Sequence, residues 1–227
     1  MLRLAGMTMA KFPQMNEING KEVHHRIKNN LQIICSLLDL QADDFKNRNG
    51  MVDCNDVANA FMKSRDRVFS MALIHEELYS NENSDELNVS SYLTKLTKNL
   101  MATYNVNNRD IKLNVNLTND AFFDMDTTVL LGMIVNELVT NAFKHAFTDH
   151  DTGEISVVLS KGSLNNDYVL QVSDDGDGID RNVDKCESLG MQIVMSLVDQ
   201  LDGSLDVKND NGTTFTLLFA MNNGIHH

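Results

Sequence analysis

The chain has 227 residues, 42% of them hydrophobic, which suits one large domain or two modest ones with real cores. A formal net charge of −13 argues against nucleic acid or an anionic membrane as partner, since both would repel it. No apolar run approaches the ~18 residues of a bilayer span, Met1 to Ala10 lacks the apolar stretch of a signal peptide, and three cysteines without paired spacing (Cys35, Cys54, Cys186) suggest a reducing cytoplasm.

Residues 1–20 read as an N-terminal stub or linker. From about Lys21 to Asp43, Val23, Ile27, Leu31, Ile34 and Leu38 recur every three or four positions, the pattern of an amphipathic helix. The polar stretch Asp44–Asn55 reads as a turn. A second helix follows, in which Val57, Phe61, Ser64, Val68, Met71, His75 and Leu78 step by four and three, a heptad seam. A helical hairpin over 21–84 cannot bury both faces alone, so a homodimeric four-helix bundle is expected; the alternative is packing against the rest of the same chain. Asn81–Glu86 reads as a linker.

Residues 85–222 then change to mixed α and β. Val89–Tyr104 reads as a helix, Ile111 to Leu117 alternate as in a half-buried strand, and Met125–Phe147 reads as a long helix. Ile155–Leu159, Tyr168–Val172, Ser204–Val207 and Thr213–Phe219 read as strands and Leu189–Leu201 as a helix. The expected fold class is therefore an α-helical hairpin followed by an α/β sandwich, with helices on one face of a mixed sheet. Residues 223–227 read as a tail, and His226-His227 as a possible tag remnant.

On the first helix Glu22, His25, Asn29, Gln32, Ser36 and Asp39 form one polar ridge opposite the apolar stripe. His25 is thus expected to face solvent, where its neutral imidazole is a competent nucleophile near pH 7. Glu22, one turn earlier, is placed to orient or deprotonate the ring, or to pair with Arg26 as a plain i,i+4 salt bridge. Asn29, one turn later, is placed to position a water. A solvated surface histidine is the plainer reading of His25, and His75 reads as a polar residue of the seam.

Glu137 and Asn141 are i and i+4 on the long helix and project to one side, which suits Mg²⁺ held by the Asn141 oxygen with Glu137 on a metal-bound water. Lys144 and His145 follow on neighbouring faces, where they can meet phosphate oxygens. After the strand Tyr168–Val172 comes Asp174-Asp175-Gly176-Asp177-Gly178. Gly176 and Gly178 allow close approach of backbone to a flat ligand, and Asp174 can accept an adenine amino group. Alone, this run also reads as a turn or a calcium loop. Ser188-Leu189-Gly190-Met191 opens a helix whose free N–H groups favour phosphate, and Thr213 after Gly212 can reach a base through water. No P-loop and no protein-kinase signature occurs.

Taken together these stretches resemble the sensor histidine kinases of the HWE-related group, whose acceptor box is H-R-x-x-x-N. His25, Arg26 and Asn30 match the box, and Ser70–Tyr79 resembles the group's second dimerisation helix. Asn136–Ala146 is similar to the N-box, which brings in Asn136; Asp174–Gly178, Ser188–Gly190 and Gly212–Phe215 are similar to the G-boxes. The resemblance covers about residues 20–220. It implies a Bergerat-type GHKL fold that binds ATP and Mg²⁺, autophosphorylation on His25, and transfer to an aspartate of a response-regulator receiver domain. The chain has no tryptophan, so the sibling of the HWE kinases proper fits better. Arg26 follows the histidine where other histidine kinases carry an acid, leaving the general base open. Only nine residues separate Gly178 from Ser188, where the ATP lid would lie. That short lid motivates the alternative of a phosphotransfer or scaffold module with a weak or vestigial ATP site.

Overall fold

The computed structural model describes residues 32, 34–36, 38–46, 52–80, 87–104, 110–118, 121–148, 150–163, 166–179 and 188–221. The acceptor-box residues Glu22, His25, Arg26, Asn29 and Asn30, the linker Asn81–Glu86 and most of the lid lie outside the described residues.

The first helix, α1, is described at 32, 34–36 and 38–46. It is helical through residue 46, beyond the expected Asp43, with a 2.9 Å Lys46–Asp43 pair of i,i+3 type. The second, α2 (Cys54–Ser80), starts inside the segment expected to be a turn. Asp53 fixes that start: its side chain accepts from the Asn55 amide and its carbonyl from the Val57 amide. The two helices meet through polar groups, with the Ser64 hydroxyl donating to Gln41 Oε1 at 2.6 Å.

Beyond α2 come β1 (Leu87–Asn88), α3 (Val89–Tyr104), β2 (Asp110–Leu117), β3 (Phe122–Phe123), α4 (Met125–His145), β4 (Thr152–Lys161), β5 (Asp167–Asp174), α5 (Leu189–Gln200), β6 (Ser204–Asn209) and β7 (Thr213–Ala220). Five strands form a mixed sheet in the order β2-β4-β5-β7-β6, with β2 parallel to β4 and the other pairs antiparallel. One sheet face is buried: Ile155, Val157 and Leu159 of β4, Leu170 and Val172 of β5, and Phe215, Leu217 and Phe219 of β7. Strand period places these residues on one side, and α3, α4 and α5 cover them. The short β1–β3 pair, which no periodicity announces, closes one end, with Phe123 edge-on to Tyr168 and Phe219.

Each covering helix shows why it lies there. In α3, Val89, Tyr92, Leu93, Leu96, Thr97 and Leu100 make an i, i+3, i+4, i+7 stripe that is fully buried. The central helix α4 is apolar around most of its circumference. Asp124 caps its start, accepting from the Thr127 amide, and Lys144 and His145 complement its C-terminal dipole. It ends at His145, two residues short of the expected Phe147.

The heptad seam of α2 is divided. Phe61 is 71% exposed and Val68 is also exposed, whereas Met71 is buried together with Ile74. The stripe Arg67, Ser70, Met71 and Ile74, at i, i+3, i+4 and i+7, packs against α3 and α4 of the same chain. Sequence periodicity does not flag this stripe, because two of its four members are polar.

Candidate functional site

A cleft of about 350 Å³ opens between α4, the N-terminus of α5 and the ends of β5 and β7. Asn141 and His145 come from α4, Asp174 and Gly178 from the end of β5, Ser188 from the cap of α5, and Thr213 from the start of β7. Apolar side chains complete it, among them Leu138, Ile179, Met191 and Phe215. A largely apolar cleft of this volume with few polar groups suits a small organic ligand.

Asp174 ends β5 and its Oδ1 accepts from the Gly176 and Thr213 amides, each at 3.2 Å. Burial raises its pKa above the usual carboxylate range; the two amides act against that and Asp175 and Asp177 add to it. The other two carboxylates of the run turn elsewhere. Asp175 accepts from the Glu154 amide, and Asp177 accepts from the Thr148 hydroxyl and pairs with His150. The carboxylates do not converge as a calcium loop would require.

The glycines fit their places for backbone reasons. Gly178 has φ +74°, and Asn209 clamps the next residue by accepting from the Ile179 amide and donating to its carbonyl. A Cβ on Gly176 would run into the Ala146 carbonyl oxygen, so only glycine lets this loop lie against the end of α4.

Ser188 caps α5, its hydroxyl accepting from the Met191 amide at 3.3 Å. Leu189 starts the helix, and Gly190 sits beside α4. A Cβ there would lie 3.1 Å from Glu137 Oε2 and within 4 Å of both side-chain polar atoms of Asn141. Glu137 and Asn141 therefore aim at one spot beside the helix N-terminus. Among the described residues no group of three His, Cys, Asp or Glu side chains is placed to hold a metal. Two protein oxygens next to the amides of a helix N-terminus nevertheless suit Mg²⁺, which takes one or two protein ligands and fills the rest with other oxygens.

Three residues expected in the site lie differently. Asn136 is only 2% exposed, with the Thr140 hydroxyl donating to its Oδ1 at 3.4 Å, and it is not in the cleft wall. Lys144 turns over the Tyr104 ring, 5.2 Å from its centroid, and is not in the cleft wall either. Glu137 is not free: its Oε1 accepts from Arg67 Nε at 2.5 Å, with both side chains only 3–4% exposed.

Two contributors were missed from sequence. Arg67 is one, and Lys63, which lines the cleft, is the other. Both come from α2, outside the ATP-site motifs, and their i,i+4 spacing is the only sequence signal they share. Burial, then the charges of Lys63 and Lys144, depress the pKa of His145. Burial, then Lys63, does the same to Lys144.

The sheet, its helical cover and this cleft define an ATPase module: residues 126–223 match the family described as "Histidine kinase-, DNA gyrase B-, and HSP90-like ATPase". Residues 22–104 match the family described as "Histidine kinase", and the chain belongs to the histidine kinases of the HWE-related type. It is 34% identical over 203 residues to the sensor histidine kinase PdtaS of Mycobacterium tuberculosis, covering 87% of this chain and 38% of that protein. It is 29% identical over 196 residues to blue-light-activated histidine kinase 2 of Erythrobacter litoralis, covering 82% and 52%. The histidine kinase domain of an Erythrobacter litoralis blue-light activated kinase superposes with a TM-score of 0.68 at 26% identity, covering 88% of this chain and 89% of that one. The chain thus spans about two fifths of the first of these curated relatives and about half of the second. No helix among the described residues is long and apolar enough to cross a membrane.

Proposed function

We propose that this chain is the core of a sensor histidine kinase that phosphorylates its own His25 from Mg-ATP and passes the phosphoryl group to an aspartate of a response-regulator receiver domain. The observation that carries the reading is the cleft itself, with Asp174, Thr213 and Asn141 converging under the N-terminus of α5 in a family of ATPases. Asp174 would accept the adenine amino group, and Thr213 would reach the ring through a water. The first amides of α5 and His145 would face phosphate. Asn141 would bind Mg²⁺ directly and Glu137 through a water. The ion's chemistry is charge neutralisation on the phosphates, and phosphoryl transfer needs little beyond that and positioning.

The acceptor side rests on the sequence and on the family match over 22–104. In this reading Glu22 orients or deprotonates His25, Arg26 and Asn30 complete the acceptor box, and Asn29 positions a water for hydrolysis of the phosphohistidine. Residues 21–84 form the phosphotransfer hairpin and 85–222 the catalytic domain, in a cytoplasmic protein. The exposed Phe61, Met62, Val68 and Phe69 of α2 support a homodimer built on that hairpin.

The test is incubation with γ-labelled Mg-ATP. An acid-labile, alkali-stable label is expected, absent from His25→Gln. Equal labelling of that variant refutes His25 as acceptor. Failure to bind nucleotide at millimolar concentration instead supports the scaffold with a vestigial ATP site.

A further inference from the structure

We infer that the phosphate end of the nucleotide site is completed by the phosphotransfer hairpin, through Lys63 of α2. This rests on the nucleotide reading of the cleft and adds a binding residue from the other domain. Lys63 lines the cleft together with Asn141, His145 and Ser188, and not merely the outer surface of its own helix.

Asp66, three residues after Lys63 on α2, and Glu137 of α4 are already engaged. Asp66 pairs with Arg65 at 2.6 Å and accepts from the Tyr104 hydroxyl, and Glu137 accepts from Arg67. Both carboxylates thus already have a cationic or hydroxyl partner of their own.

The cleft carries opposite charges as a result. Among the described residues of its wall, Asp174 is the one carboxylate and Lys63 the one ammonium. A ligand with an amine-bearing ring at one end and several negative charges at the other matches that polarity, as a nucleoside di- or triphosphate does. The chain carries a net charge of −13, and a lysine in the cleft wall offsets that charge locally for a polyanion.

The placement of Lys63 is maintained by the contacts one and two turns further along α2. Arg67 is i+4 from Lys63 and is locked to Glu137; the Ser70 carbonyl accepts from the Tyr92 hydroxyl at 3.2 Å, and Met71 and Ile74 are buried. Phosphate binding by Lys63 thus depends on α2 being docked, which makes ATP affinity report the position of the hairpin.

Calorimetric titration of the full chain with ATP and with adenosine tests this. Lys63→Met should weaken ATP about tenfold, the effect of losing one charge-assisted phosphate contact, and leave adenosine affinity unchanged. Lys63→Arg should stay within about threefold of the wild type for ATP. Equal ATP affinity in Lys63→Met and wild type overturns the inference, and so does an equal loss for adenosine, which would mean that Lys63 shapes the cleft. If the wild type binds neither ligand, the nucleotide reading falls first and this inference with it.

Discussion

Arg67→Met removes one half of a buried ion pair. The Arg67 Nε to Glu137 Oε1 contact is 2.5 Å long and both side chains are almost fully covered. Leaving one charge of such a pair buried alone costs about 3–5 kcal/mol. The lower half of that range is expected here, because Arg67 Nη1 is a buried donor with no hydrogen-bond partner among the described residues, so the wild-type pair is itself incompletely satisfied. With a urea slope of about 1–3 kcal/mol per molar, the unfolding midpoint should fall by about 1–4 M. Replacing both partners with apolar groups, as in Arg67→Met with Glu137→Leu, should recover most of the loss, since an apolar pair of similar volume needs no charge compensation. The assay is urea unfolding of wild type, both single variants and the double variant, followed by circular dichroism. A double variant no more stable than Arg67→Met would show that the pair is not what couples α2 to α4, and the reasoning would be refuted.

Asp174→Asn should separate stability from binding. The wild-type carboxylate has a raised pKa, so its folded form favours the proton; that contribution to stability is present in acid and is lost as pH rises through the folded pKa. The asparagine oxygen can keep both amide contacts without the buried charge. The apo variant should therefore melt higher than wild type at neutral pH, with the difference vanishing in acid, and should lose adenosine binding in calorimetry; a lower melting temperature at neutral pH would contradict this. Gly176→Ala forces a methyl into the Ala146 backbone and should cost about 1–3 kcal/mol by urea unfolding, while wild-type stability would show that the loop shifts freely.

Much of the catalytic half was legible because its patterns are local. Strand alternation at Ile155–Leu159 and Thr213–Phe219, the buried stripe of α3 and the capped, nearly all-apolar α4 report burial directly through period. Departures arose where a neighbour distant in sequence sets the outcome. Periodicity alone assigns α2 to a dimer seam, yet its C-terminal half buries Met71 and Ile74 in its own chain. Lys144 has the spacing to meet phosphate but finds the Tyr104 ring, and Asn136 turns into the helix packing.

The order of residues along this chain was enough to determine an apolar face for α3, α5 and the strands of the five-stranded sheet, the i,i+4 spacing of Glu137 and Asn141, and glycines where the backbone turns left-handed or lies against another segment. These are short-range consequences of chain geometry and side-chain type. Only the folded chain decided that Arg67, seventy residues before Glu137, would engage it, and that Lys63 would enter a cleft built from α4, β5, α5 and β7. An ion pair or a shared pocket depends on where separate elements come to rest, and that is settled by packing of the whole core, not by any local run of residues.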